Sequence, residues 1–285
     1  CPCPPGWQRH FRSNADRAYA LRQCLPALPA EFLSGANNIL SLEYLKAVRR
    51  LHSEMTPFPL LRSGQDYHNT DIIPDAFSSA SAIRHSYERA SSLEKCADAM
   101  PEEVYELLAG HPDRFGISLS DFDLLLYYAL RRACRNGTLV GYGDISTELA
   151  NRIEKELASY KDADSFILSL KRKNITYARI SRCLFQLLLE IPSTVCSGTM
   201  QPVPYLRLLG MRRSKSSYLR RITEVPIITK PANAWAQVAS SPYSCATDYL
   251  KIDFLAADLY RQVLSHKTGC LIPDEYHSGV IIMED

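Results

Sequence analysis

One stretch limits what this chain can fold into. In residues 34–84, two polar, small-residue helix starts flank a short proline-containing extended piece. The stretch reads SGANNILSLEYLKAVRRL, then TPFPLLR, then SGQDYHNT, then FSSASAIRHSY. Ser34, Gly35, Asn37 and Asn38 supply cap-type residues ahead of an apolar period of Leu42, Leu45, Val48 and Leu51, which predicts an amphipathic helix. Thr56 to Arg62 reads as an extended segment whose Pro57 and Pro59 argue against a fully paired central strand at its start. Leu60 and Leu61 can still be buried there, with Arg62 emerging at the carboxyl end. Ser78, Ser79 and Ser81 then precede Ile83, Tyr87 and Ala90 at helical spacing, with Arg84 in the first turns of a second helix.

The chemistry of such a stretch favours anions. A helix N-terminus presents unpaired backbone N–H groups and partial positive charge. Ligands of open parallel sheets bind outside the carboxyl ends of the strands, which makes Arg62 a candidate contact for a phosphate or a nucleobase. At the second helix, serine hydroxyls, backbone amides and the Arg84 guanidinium can hold a phosphate together. Plainer readings stand beside these. Asn37 and Asn38 can be caps alone, and Arg62 can be a surface residue paired with Asp66. The Ser-rich start can be only an N-cap, and His68 an exposed loop residue rather than a general acid. Spacing does not separate the two sets.

The rest of the chain is mostly helical. Asp16 to Cys24 is a short helix candidate before Pro26 and Pro29. Pro101 opens EEVYELLAG, Ser120-Asp121 caps DFDLLLYYALRRACRNG, and Gly110 and Gly137 mark the ends. Further helices are expected over residues 145–160, 163–170, 177–191 and 248–266, the third apolar enough to be central to a core. Tyr205 to Gly210 and Ser216 to Ile222 read as short pieces around a turn, Val225 to Thr229 as a short β-like run, and Gly279 to Met283 as β-like or irregular. Two basic patches lie in this part. One is Lys171, Arg172, Lys173, Arg179 and Arg182 around Tyr177; the other is Arg207, Arg212, Arg213, Lys215, Arg220 and Arg221 near Tyr205 and Tyr218. Cations neutralise phosphates and aromatic rings stack unpaired bases, although a charge run can equally be a solvated face.

Composition bounds the function classes. The chain has 285 residues, enough for two domains, with 46% hydrophobic and 22% charged residues and a formal net charge of +2. There is no global basic field, so any nucleic-acid contact must be local. No run approaches the roughly 18 apolar residues of a membrane span. The nine cysteines are scattered without paired Cys-x-x-Cys motifs, so no zinc ribbon is expected and a reducing cytoplasm is the expected compartment. No metal site of the protein's own is read. The proline-rich opening, CPCPPGWQRHFRSN, reads either as a frayed terminus or as the start of a chain cut from a longer protein.

With these motifs in order, the chain resembles the tRNA(Met) cytidine acetate ligase family. GANNILSLEYLKAVRRL matches its Pro-Asn-Asn-Ile-Leu helix, RSGQDYH its Arg-x-Gly-x-x-Tyr-His loop, and SSASAIR its Ser-Ala-Thr-Ala-Ile-Arg turn. The likeness continues through LANRIEKEL, KRKNITYARISRCLFQLLLEI, PYLRLLGM, VPIITK and DFLAADLYRQVL. The resemblance implies an α/β plus α fold, predominantly helical overall. Residues 1–93 would be the C-terminal part of a Rossmann-like nucleotidyltransferase domain, and 94–285 a helical, tRNA-binding domain. It implies an enzyme that activates acetate with ATP as acetyl-adenylate and passes the acetyl group to the wobble cytidine of elongator tRNA(Met), forming N(4)-acetylcytidine. Asn37, Arg62, Ser79, Ser81 and Arg84 would then bind ATP, with Mg as the nucleotide's counter-ion. Lys171, Arg172, Lys173, Arg179, Arg212 and Arg213 would contact RNA. Catalytic residues and oligomeric state stay unassigned.

The departures from the family pattern also matter. No two histidines stand three apart, so the family's His-x-Gly-His-type turn has no counterpart in this sequence, and Ala36 stands where proline is usual. The chain is therefore expected to be an N-terminally truncated member, unable to form acetyl-adenylate unaided. Two other readings stay open: a catalytically inert RNA-binding helical module, and a nucleotidyltransferase acting on another small substrate.

Overall fold

A computed structural model describes residues 36–61, 71–72, 78–90, 93–111, 117–196, 203–277 and 279–284. The chain divides into two compact units, Cys1–Gln65 with Arg172–Thr176, and Asp66–Lys171 with Tyr177–Asp285. In the first, helix α1 (Ala36–Arg50) forms where the cap-type residues and apolar period place it. Glu43 and Lys46 pair at 3.0 Å on its surface. The helix closes through Ser53 N donating to Val48 O at 3.0 Å, with His52 at φ 48°. Leu42 and Val48 are half-buried, whereas Leu45 and Leu51 are exposed. Residues 54–61 form no regular secondary structure and join none of the described strands. Leu60 and Leu61 are 86% and 98% exposed, so their expected burial is not found. Pro57 and Pro59 offer no N–H to a ladder, and among the described residues no strand lies alongside to cover the leucines. The unit's second piece is a tight turn in which Arg172 and Ile175 bridge.

The second unit opens with α2 (Ala80–Ala90), a 3-10 turn over Glu94–Ala99 and α3 (Glu102–Ala109). Its main core is built by α4 (Asp123–Asn136), α5 (Thr147–Glu156), α6 (Ala163–Leu170) and α7 (Tyr177–Leu188). The buried positions repeat one pattern: Leu126, Ala129, Leu130 and Ala133 on α4, and Ile180, Cys183, Leu184 and Leu187 on α7. Ala163, Phe166, Ile167 and Leu170 repeat it on α6. A spacing of i, i+3, i+4, i+7 makes one face of a 3.6-residue helix, and burying each large aliphatic side chain stabilises the fold by about 1.5–3 kcal/mol. Phe122 meets Phe185 edge-on at 5.2 Å across this core.

The helix ends follow the sequence closely. Ser146 caps α5 by accepting from Leu149 N at 3.3 Å, and Asp162 caps α6 by accepting from Ser165 N at 2.7 Å. Gly137 ends α4 at φ 64°. The cap ahead of α4 sits earlier than Ser120-Asp121. Ser118 and Asp121 form a capping box on a 3-10 turn, Leu119–Phe122, that leads into the helix. Arg152 donates to Leu170 O at 2.7 Å, closing the end of α6 from α5.

After α8 (Ser193–Cys196), the chain makes short strands: β1 (Leu206–Arg207), β2 (Gly210–Arg212) and β3 (Ile227–Ile228). A 3-10 helix, Arg213–Arg221, lies between the last two. Helices α9 (Ala234–Ala239) and α10 (Ala246–Thr268) and strand β4 (Ile281–Met283) follow. β1 pairs parallel with β3, and β2 parallel with β4. A smaller core gathers Tyr205, Ile228, Val238, Leu250 and Phe254, with Trp235 stacked on Phe254 at 5.7 Å.

Gly143 joins α4 to the core helices at a place no other residue fits. It has φ 55°, and a Cβ there would lie 2.7 Å from Gln186 Cβ. Its amide donates to Ile191 O at 2.8 Å. Gly143→Ala is expected to destabilise the protein by about 1–3 kcal/mol in denaturant titration, from left-handed strain and the clash. Gly141→Ala, where nothing lies within 4 Å, is the control and should stay within about 0.5 kcal/mol of the parent.

Candidate functional site

The start of α2 is built by its serines. Ser79 is 2% exposed, and its hydroxyl accepts from Ala82 N at 3.0 Å while its carbonyl accepts from Ile83 N at 3.1 Å. Ser79 is therefore a true N-cap. The amides of Ala80 and Ser81 have no partner among the described residues. Ser81 Oγ accepts from Arg84 Nη2 at 3.5 Å, which holds the exposed guanidinium over the same turn. Two amides, a hydroxyl and a guanidinium thus converge on one helix start, a set that suits a phosphate. The structure brings Ser79, Ser81 and Arg84 together as the sequence predicted. Asn37 lies in the first unit, exposed at the start of α1, with its carbonyl accepting from Ser41 Oγ at 2.9 Å. Arg62 and His68 lie outside the described residues.

Arg84 also opens onto a cleft of about 610 Å³. Ile83, Leu93, Met100, Leu108 and Ile117 give it an apolar floor, and Arg84, Glu88, Asp164 and Lys267 give it charge. These residues come from four distant parts of the chain, so no local spacing could have found them. Lys267 Nζ pairs with Asp121 at 2.8 Å, tying the end of α10 to the capping box of α4. Burial raises the Asp121 carboxyl, but hydrogen bonds from Lys267 and from the Ser118 amide and hydroxyl outweigh it and hold the pKa below the ordinary 3.8.

Several residues of the basic patches are tied to acidic partners. Arg179 pairs with Asp144 at 3.0 Å, and Arg182 reaches the same carboxylate at 3.8 Å. Arg207 pairs with Glu275 and lies over the Phe254 ring at 5.6 Å. Arg213 grips Glu284 with two nitrogens, at 3.0 and 2.7 Å. Lys171, Arg172 and Lys173 are exposed around the end of α6 and the Arg172–Ile175 turn. Arg212, Lys215, Arg220 and Arg221 are exposed on and beside the 3-10 helix, where Arg221 stacks on Tyr218 at 5.0 Å. Sequence reasoning missed a further basic stripe on the outer face of α4, where Tyr128, Arg131 and Arg135 are all exposed. Their i, i+3, i+7 spacing was the available signal.

No group of residues able to hold a metal ion occurs among the described residues, and no described helix is long and apolar enough to cross a membrane. Cys96 and Cys183 are buried free thiols, and burial pushes Cys183 up, which makes it inert packing.

A family model described as HIGH Nucleotidyl Transferase matches residues 8–270. The chain belongs to the HIGH nucleotidyl transferase family. Curated relatives agree with the resemblance read from the motifs. The tRNA(Met) cytidine acetate ligase of Clostridium acetobutylicum is 29% identical over 261 residues, covering 89% of this chain and 59% of the relative. That of Clostridium kluyveri is 32% identical over 261 residues, covering 88% and 59%. The chain thus spans about three fifths of the length of these relatives. Among solved structures, apo Thermotoga maritima TmcAL matches with a TM-score of 0.83 at 21% identity, covering 95% of this chain and 67% of that one. TmcAL bound with alpha-thio ATP matches at 0.78 and 18% identity, covering 98% and 68%. The nucleotidyltransferase-like, helix-rich fold is shared with both.

The Asp121 clamp beside the cleft has a definite pH signature. Its folded pKa is depressed, so its contribution is fully present above the unfolded value of 3.8 and is lost as pH falls below that through the folded value. Asp121→Asn is expected to cost about 1 kcal/mol at neutral pH. The difference should vanish in denaturant titrations well below pH 3.8, and a constant difference across that range would contradict the assignment.

Proposed function

We propose that the protein works as a tRNA(Met) cytidine acetate ligase. In this reading acetate attacks the α-phosphorus of ATP, pyrophosphate leaves, and the acetyl group passes from acetyl-adenylate to the wobble cytidine of elongator tRNA(Met). The products are N(4)-acetylcytidine and AMP. The observation that carries the reading is the start of α2, where Ser79, Ser81 and Arg84 converge beside a cleft, in a chain whose relatives bear that name. Ser81 and Arg84 hold phosphates and the buried Ser79 shapes their helix start as its N-cap, while Asn37 and Arg62 bind elsewhere on the nucleotide. Displacement of pyrophosphate builds charge on oxygens, and each well-placed donor is worth about 2–4 kcal/mol to such a transition state. Mg accompanies ATP as its counter-ion. The nucleotidyltransferase portion is residues 1–93 and the RNA-binding portion 94–285, and a tRNA substrate puts the protein in the cytoplasm.

For RNA, Lys171, Arg172, Lys173 and Arg212 are the exposed contacts, joined by Lys215, Arg220 and Arg221. Arg179 and Arg213 must leave Asp144 and Glu284 before they can take a phosphate. The exposed basic 3-10 helix also favours a second reading, an RNA-binding module without chemistry.

The test incubates the protein with ATP, acetate and elongator tRNA(Met), then measures pyrophosphate release and N(4)-acetylcytidine by mass spectrometry. Both products, each dependent on ATP and acetate and lowered about 10²-fold by Arg84→Ala, would carry the reading and overturn the expectation that this chain cannot form acetyl-adenylate unaided. Steeply salt-dependent tRNA binding with neither product would favour the second reading. Pyrophosphate release driven by another small acid, without acetylcytidine, would overturn the choice of substrate.

A further inference from the structure

We infer that the cleft beside α2 receives the unpaired cytosine of the RNA, stacked on Tyr87 and read through its exocyclic amine by the carboxylates of Glu88 and Asp164. The choice of base rests on the acetate-ligase reading; the case for the cleft rests on its own walls. Ile83, Arg84, Tyr87 and Glu88 all line it and follow one another at i, i+1, i+4, i+5, so one continuous face of α2 runs from the serine start into the cleft. At about 1.5 Å of rise per residue, Tyr87 and Glu88 stand about 9–11 Å along the helix from Ser81. A base in the cleft therefore neighbours a phosphate at the helix start without overlapping it.

The lining selects the kind of ligand. Two cations, Arg84 and Lys267, are balanced by two carboxylates, Glu88 and Asp164, above a floor of half-buried aliphatic side chains. A polyanion gains little there, and a purely apolar ligand would strip water from four charges. A flat, neutral heterocycle with a donor and acceptor edge suits both floor and rim, and about 610 Å³ accommodates a nucleoside. Cytosine offers its N4 amine to a carboxylate of the rim. Uracil would turn its O4 toward the same carboxylates and be repelled. Two of the charged groups are held in place: Asp164 accepts from the Tyr177 hydroxyl, and Lys267 is clamped by Asp121. Tyr87 supplies the aromatic face on which an unpaired base stacks.

The test is an NMR titration of the whole chain with cytidine and, separately, uridine, without ATP. Cytidine should shift the amides of residues 83–88 and 117–120 saturably and bind at least about 10-fold tighter than uridine. Glu88→Gln, alone and with Asp164→Asn, should carry the ratio of affinities toward one while leaving the thermal melt in place. Tyr87→Ala should weaken both nucleosides by about 10-fold, and Tyr87→Phe should restore binding. Equal affinity for the two nucleosides, shifts confined to another surface, or no saturable response would each overturn the inference. Cytidine selectivity without acetylation would sink the ligase reading and leave the cleft as a cytosine reader. Acetylation without selectivity would sink this inference alone.

Discussion

The second unit depends on the interlock of α4, α5, α6 and α7. Leu130, Ile153, Ile167 and Leu184 have essentially no exposed surface, and each comes from a different one of these helices. Close packing at that density leaves little freedom for any helix to slide or rotate, so the connections between them are fixed as well. Gly143, squeezed against Gln186, and Asp144, held by Arg179 and by Gln186 through its amide at 3.1 Å, show how tightly one such connection is bound to α7. Asp123 does the same for α6 by accepting from Ala163 N at 2.8 Å.

That rigidity is what gives the cleft its shape. Ser118 and Asp121 start α4, Asp164 begins α6, and Lys267 ends α10. The Lys267–Asp121 pair joins two of these elements, and the Tyr177 hydroxyl on Asp164 joins α7 to α6. The side chains around the cleft are thus carried by elements that the core positions. The basic 3-10 helix is different in kind: its cations are exposed, and Arg221 lies over the Tyr218 ring. A surface of that sort suits a flexible polyanion, whose backbone needs charge more than fixed geometry.

Much of this was legible in the sequence. The period of Ala163, Phe166, Ile167 and Leu170, and the capping power of Asp162, specify α6 to the residue, because both signals are local. The serine start of α2 was legible for the same reason, whereas the hydrogen bond from Arg84 to Ser81 emerged only in the structure. Roles set across long separations were not. Arg207 reads as one more cation in a basic run, yet Glu275 and Phe254 fold it into the scaffold. Arg213 likewise belongs to Glu284, 71 positions away. Leu60 and Leu61 looked like strand residues because apolar pairs in extended segments are usually covered; burial needs a neighbour, and hydropathy alone does not supply one.

The central claim is that phosphates sit on the start of α2. The most direct measurement is an NMR titration with ATP and Mg, following the backbone amides of Ala80 to Arg84 in the parent and in Arg84→Ala. The account predicts saturable shifts of Ala80 and Ser81 that disappear in the variant, while the core amides of α4 and α7 stay still. Saturable ATP binding that leaves those amides unmoved, or no binding at all, would contradict it.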